Sequence, residues 1–196
     1  MSNRHEVTAA DILPRAEWAT RRAGERRRIS ALKRNRRVEV GPHVTFYFES
    51  WETMRHQIQE MCWIENGGPE QIPDELTAYN PLVPKGRELV ATFMIEIDDP
   101  IRRKTVLGRL GGVEETAFLR VFGETIHAVP EADQDRTTAE GKASSVQFVH
   151  FPFTPDQIAR FRTPGAEVVL GLTHPNYGHM AILPEAVRAE LAKDFD

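Results

Sequence analysis

Residues 88–98 (ELVATFMIEID) read as the clearest strand, and alternation at 90–98 and 146–151 (VQFVHF), a period of two, marks β-strands. Similar short runs predict strands at about 116–122, 125–129, 144–151, 167–172 and 179–183. A further β segment spans 37–49, broken near Gly41-Pro42, with Val44-Thr45-Phe46-Tyr47-Phe48 as its core. Between these runs the pattern turns helical. A helix is expected at 51–66, capped by Ser50 and ended by Gly67-Gly68. Others are expected at 73–79, 100–110, 154–161 and 184–195, the third with Thr154 as cap and Pro155 at its first position. Residues 130–141 read as a polar surface loop or short helix. Short strands without βαβ alternation in the second half predict an α+β fold. Its expected form is a mostly antiparallel sheet with helices on one side and a long N-terminal helix.

That first helix is expected over about 8–35. Ile12, Ala16, Ala19 and Ala23 define one face, and Trp18, Ile29 and Leu32 lie roughly opposite at 100° per residue. A helix apolar on two sides would touch two surfaces, within the fold or across a homo-oligomer. Residues 1–40 carry eleven Arg or Lys against five Asp or Glu, a charge of +6, while the rest of the chain carries −10. A basic arm on an acidic body raises the nucleic-acid question. Self-complementary charge needs no partner, so Arg21, Arg26 or Arg27 are expected to pair with the body, through Glu49, Glu60 or Glu65, and nucleic acid is not the expected ligand.

The 196 residues fit one domain, a basic helix at about 8–35 packed on the body 36–196. The one cysteine, Cys62, excludes a disulfide within the chain and a Cys-based zinc knuckle. It falls on the apolar stripe Met54, Ile58, Met61 of the second helix, where it reads as a small core residue. No apolar run approaches the roughly 20 residues that span a bilayer, and the first residues lack an apolar signal core. No membrane association and a cytoplasmic location are the expectations.

The chain carries no Gly-rich phosphate loop, dinucleotide fingerprint, nucleophile elbow or HExxH. Three groups remain. His174 and His179 flank a Pro-Asn turn with Tyr177 between them, and His150 is the third candidate for a divalent metal. The alternative is a turn whose histidines bond the backbone. On the second helix Glu65 falls near the apolar stripe, so it is either paired or past the helix end. Glu60 lies on the opposite face, in line with Glu52 and His56, and Glu49 precedes the cap. The third group is Tyr79-Asn80-Pro81-Leu82-Val83-Pro84, a loop fixed by two prolines that could present Tyr79 and Asn80 to a ligand or partner at little entropic cost. One concave site joining the His174–His179 turn, Glu49, Glu60 and Glu65 of the 49–65 segment, and the Asn80–Pro84 loop is the sharpest expectation, holding a divalent metal or, without metal, acting through a His–Glu acid–base couple on a small anion steered by arginines such as Arg21, Arg27 and Arg37.

The succession Arg36-Arg37-Val38-Glu39-Val40-Gly41-Pro42, Phe46-Tyr47-Phe48-Glu49, Gln57-Ile58-Gln59-Glu60-Met61, Tyr79-Asn80-Pro81-Leu82, Ser144-Ser145-Val146-Gln147-Phe148 and His174-Pro175-Asn176-Tyr177 resembles a bacterial family of similar length. That family is catalogued only as a domain of unknown function. Its genes often lie beside those for rubrerythrin-like di-iron proteins and iron–sulfur oxidoreductases. The resemblance therefore implies an accessory or binding protein of an iron-redox or peroxide-defence system, with a protein of that system as partner. The chain lacks the Cys clusters and the paired Glu-x-x-His helices of those redox centres. A metal-dependent enzyme and a nucleic-acid binder using the basic helix are the alternatives.

Overall fold

The structure, a computed structural model, describes residues 4–131, 137–138 and 141–196. Most of the loop expected at 130–141 thus lies outside the described residues. The elements run α1 (Arg15–Lys33), β1 (Arg37–Val40), β2 (Val44–Phe48), α2 (Trp51–Glu65), α3 (Ile72–Tyr79), β3 (Glu88–Ile95) and α4 (Pro100–Leu107). They continue with β4 (Ala117–Val121), β5 (Glu124–His127), β6 (Val129–Pro130), β7 (Val146–Pro152), α5 (Pro155–Arg162), β8 (Val168–His174), β9 (Tyr177–Ile182) and α6 (Glu185–Leu191). The fold is α+β, as the patterning predicts.

The strands form two antiparallel sheets, ordered β1-β2-β3-β7-β6 and β5-β4-β8-β9. Alternation decides which side chains meet. In the first sheet Phe46 pairs with Phe93 and Val44 with Ile95, and the Phe46 and Phe93 rings lie 4.8 Å apart. These face Leu119, Leu170 and Leu172 of the second sheet in one apolar core. Each fully buried Phe or Leu there stabilises the fold by about 1.5–3 kcal/mol. A second, smaller core lies on the outer face of the five-stranded sheet, where Val90 and Phe148 meet Met54 and Ile58 of α2, Val7, Ile12, Leu82 and Val83. Phe153, Phe161 and Phe195 pack edge to face under α5 and α6.

The two sheets are tied at one edge by Tyr177. Its hydroxyl donates to the Val40 carbonyl at 2.8 Å and accepts from the His43 and Val44 amides at 2.9 and 3.0 Å. That contact needs Gly41, whose φ is +71°. A Cβ there would lie 2.5 Å from the His179 ring and 2.8 Å from the Tyr177 hydroxyl.

The first helix departs from its expected form in two ways. Residues 9–11 form a separate 3₁₀ turn, and α1 begins only after Pro14, whose ring and missing N–H suit a helix start but not its interior. The helix is also one-sided. Trp18 and Ile29, eleven residues apart and so nearly in line, are buried against α2, whereas Ala16, Ala19 and Ala23 are exposed. An alanine stripe carries too little apolar area to outbid a Trp and an Ile for the inner face.

Candidate functional site

The expected histidine and carboxylate centre is distributed over separate neighbourhoods. His174 is buried at the turn. It accepts from the Asn176 amide at Nδ1 (3.2 Å), which leaves the proton on Nε2, 3.3 Å from the Gly111 carbonyl. His179 lies on β9 with its ring 4.5 Å from that of Tyr177. Glu49 is buried and accepts from the Thr92 and Thr53 hydroxyls at 2.8 and 2.7 Å. Glu60 accepts from Trp18 Nε1 (3.0 Å) and twice from Arg22 (2.8 Å each), and the Arg22 hydrogen bonds hold its carboxyl below the usual range against the opposing effect of burial. Glu65 is the last residue of α2, and Gln71 donates to it at 2.6 Å. None of these carboxylates shares a partner with either histidine. Among the described residues no group of three or more His, Cys, Asp or Glu could hold a metal ion.

His150 has a different environment. Its ring nitrogens lie 2.9 Å from Glu88 and 2.8 Å from Glu131. Burial opposes the charged imidazole, but the two carboxylate hydrogen bonds outweigh it and the pKa is raised. The arrangement is an imidazolium clamp between β3, β7 and the end of β6.

The Pro-rich loop is engaged inside the fold. Asn80 accepts from the Val7 amide (2.8 Å) and donates to the Val7 carbonyl (2.9 Å), holding the N-terminal segment, and Tyr79 packs against the smaller core. The Cys62 thiol is pushed up by burial and by nearby Glu75 and Glu65, the opposite of an activated thiolate.

The arginines sort differently from the expectation. Arg21 pairs with Glu17 of its own helix (2.8 Å), and Arg37 with Glu39. The body is reached instead by Arg22, through Glu60, and by Arg36, which is 2% exposed. Arg36 donates to the Phe48 and Glu49 carbonyls at 3.0 and 2.7 Å and forms a bidentate pair with Asp194. Arg26 and Arg27, expected to be neutralised, have no carboxylate partner among the described residues, and neither do Lys33 and Arg34. These four line two adjoining grooves. One of about 360 Å³ runs between α1 and β2–α2, bounded by Arg26, Lys33, Arg34, Arg37, Tyr47 and His56. The other, of about 590 Å³, lies over α1 itself and shares Arg26, Ser30 and Arg34 with the first. The His56 Nδ1 is buried without a hydrogen-bond partner and its ring lies 5.7 Å from Trp18. Burial holds its pKa down, so it adds little positive charge at neutral pH.

A separate cavity of about 400 Å³ opens beside Arg36, Glu52, Glu190, Lys193 and Asp194. Its charges largely satisfy one another, Arg36 with Asp194 and Glu190, and Lys193 with Glu190. The α1 trough, by contrast, gathers four cations that make no ion pair among the described residues. Lys33 and Arg34 were not singled out from the sequence, and His56 was read only as part of an exposed row with Glu52 and Glu60. The signal was there in the Arg26, Ser30, Arg34 spacing of four, which puts these residues on one helix face.

Fold and trough together define a small α+β protein with two antiparallel sheets and an open basic groove on its first helix. The chain belongs to the family DUF3501, described as a protein of unknown function, whose model matches residues 6–195. It is similar to a crystal structure of a novel protein of unknown function from Burkholderia pseudomallei, with 36% sequence identity and a TM-score of 0.90 over 97% of this chain and 99% of that one. No curated protein matches the chain. Among the described residues no helix is long and apolar enough to cross a membrane.

Proposed function

We propose that the protein is a binding protein, an accessory to a partner rather than a catalyst, and that the α1 trough is its recognition surface for an anion. The observation that carries this reading is the gathering of Arg26, Arg27, Lys33 and Arg34 on one face without a carboxylate partner. Two like charges about 8 Å apart repel by roughly 0.5 kcal/mol even in bulk water. Four together lower stability unless an anion sits among them. The chain as a whole carries −4, so the patch stays basic against an acidic body that could have neutralised it. The other arginines of the region, Arg22, Arg28 and Arg36, all have carboxylate partners.

Retention on immobilised heparin at neutral pH tests the reading. Wild-type protein is expected to bind and to elute with salt. The double variant R26E/R34E should flow through with a melting temperature no lower than that of the wild type, because both side chains are exposed and their repulsion of Arg27 and Lys33 is removed. Wild-type protein that is not retained, or a double variant retained equally, would overturn it.

A further inference from the structure

Resting on that reading, we infer that the trough's ligand is a single-stranded polynucleotide, held through its phosphates by Arg26, Arg27, Lys33 and Arg34 and through a base by Tyr47. The shape argues first. Arg26 to Arg34 spans eight residues of helix, about 12 Å at 1.5 Å per residue. The two grooves adjoin along Arg26, Ser30 and Arg34, and both are open to the surface. A row of cations along an open trough suits an extended polyanion better than a single small anion. The residue types argue next. Three of the four are guanidiniums, whose planar fork matches a phosphate in two hydrogen bonds.

The aromatic lining separates polynucleotide from acidic peptide. Tyr47 lines the same groove, and the Arg37 guanidinium lies 5.8 Å from its ring centroid. Tyr47 is fixed by a 3.0 Å hydrogen bond from its hydroxyl to Glu96, so the ring is held in place before a ligand arrives. An aromatic beside a phosphate-binding row is the arrangement on which unpaired bases stack. A poly-carboxylate has no group for it, and a duplex keeps its bases out of reach. An anionic membrane would need apolar side chains beside the cations for insertion. The large exposed apolar residues among those described are Ile64, Ile101, Phe122, Val129, Met180 and Ile182, and none lines the trough.

Fluorescence anisotropy with labelled twelve-residue probes tests this: single-stranded RNA, single-stranded DNA, a DNA duplex and an oligo-glutamate peptide. A single strand is expected to bind at least about 10-fold tighter than the duplex or the peptide. With four contacted phosphates and a slope of about −0.7 per contact for single strands, log K should fall with log salt at a slope of about −3. R34A should make that slope shallower by about 0.7. Tyr47→Leu should weaken single-strand binding about 10-fold with the slope unchanged, while Tyr47→Phe, which keeps the ring but loses the Glu96 hydrogen bond, should bind more tightly than Tyr47→Leu. Equal binding of oligo-glutamate, tighter binding of duplex, or no effect of Tyr47→Leu in a protein with normal melting would overturn the inference. None of these alters heparin retention, so the anion-binding reading would stand or fall separately.

Discussion

Arg36 is the point where the end of α1, the β2–α2 junction and the C-terminal turn meet, and removing it has a calculable consequence. In Arg36→Met the apolar stem is kept and the guanidinium is lost. Two backbone carbonyls, of Phe48 and Glu49, lose a charged donor, and Asp194 loses its bidentate partner. Breaking a buried pair on one side costs about 3–5 kcal/mol, because the remaining charge stays buried. For a chain of this size that is a fall in Tm of roughly 6–20 °C. Asp194 adds a pH signature. Burial already raises its pKa in the presence of Arg36, with Glu190 and Glu52 adding to the rise. Without Arg36 it rises further. A carboxyl whose folded pKa lies above its unfolded one favours the folded state below the unfolded pKa, and loses that contribution as pH rises through the folded value. The cost of Arg36→Met should therefore be largest at pH 7–8 and shrink toward pH 4–5, where Asp194 folds as the neutral acid. Urea titrations of both proteins across that range measure it. A cost below about 1.5 kcal/mol at neutral pH, or one that does not change with pH, would refute the reasoning.

Two further outcomes follow from the same geometry. His150→Gln should destabilise the fold most at low pH: the raised pKa of His150 means its stabilisation is complete below the ordinary histidine value near 6.5 and is lost as pH rises through the folded value. Melting scans from pH 5.5 to 9 should show the two proteins converging upward, and a gap that widens instead would contradict the clamp. Arg22→Ala and Arg27→Ala, five positions apart on one helix, should split cleanly. The first should lower the melting temperature through the loss of the Glu60 pair, and the second should leave it unchanged while lowering heparin affinity. Thermal denaturation and heparin elution of both variants read the split.

The strands were legible because each is short and bounded by turn residues, and β7 alternates cleanly, whereas β3 is central and buried on both faces, so its inward positions cannot be read from the sequence. The caps were legible because Ser50 and Thr154 each accept from an amide three residues on. The division into two sheets was not. It depends on β4 pairing with β8 across the chain's second half instead of with β7, a choice among strands of equal local quality. The candidate centre failed to assemble for the same reason: His174, His150 and Glu49 each carry a plausible local signal, and only the tertiary arrangement shows that Gly111, Glu88 and Thr92 satisfy them.

The arginines of α1 show the limit most sharply. Composition displays all of them and supplies an acidic body to match, and the simplest inference is mutual neutralisation. Which of them reach a carboxylate is settled by rotation about the helix axis, and that rotation is set by Trp18 and Ile29. With those two turned inward, Arg22 is carried to Glu60, while Arg26, Arg27 and Arg34 are carried to the outer side with Ala16, Ala19 and Ala23. Had the alanine stripe faced inward, the same sequence would have buried its charge balance and left no trough. Two apolar side chains thus decide whether the basic arm neutralises its own body or stays open to a ligand, and here they leave it open.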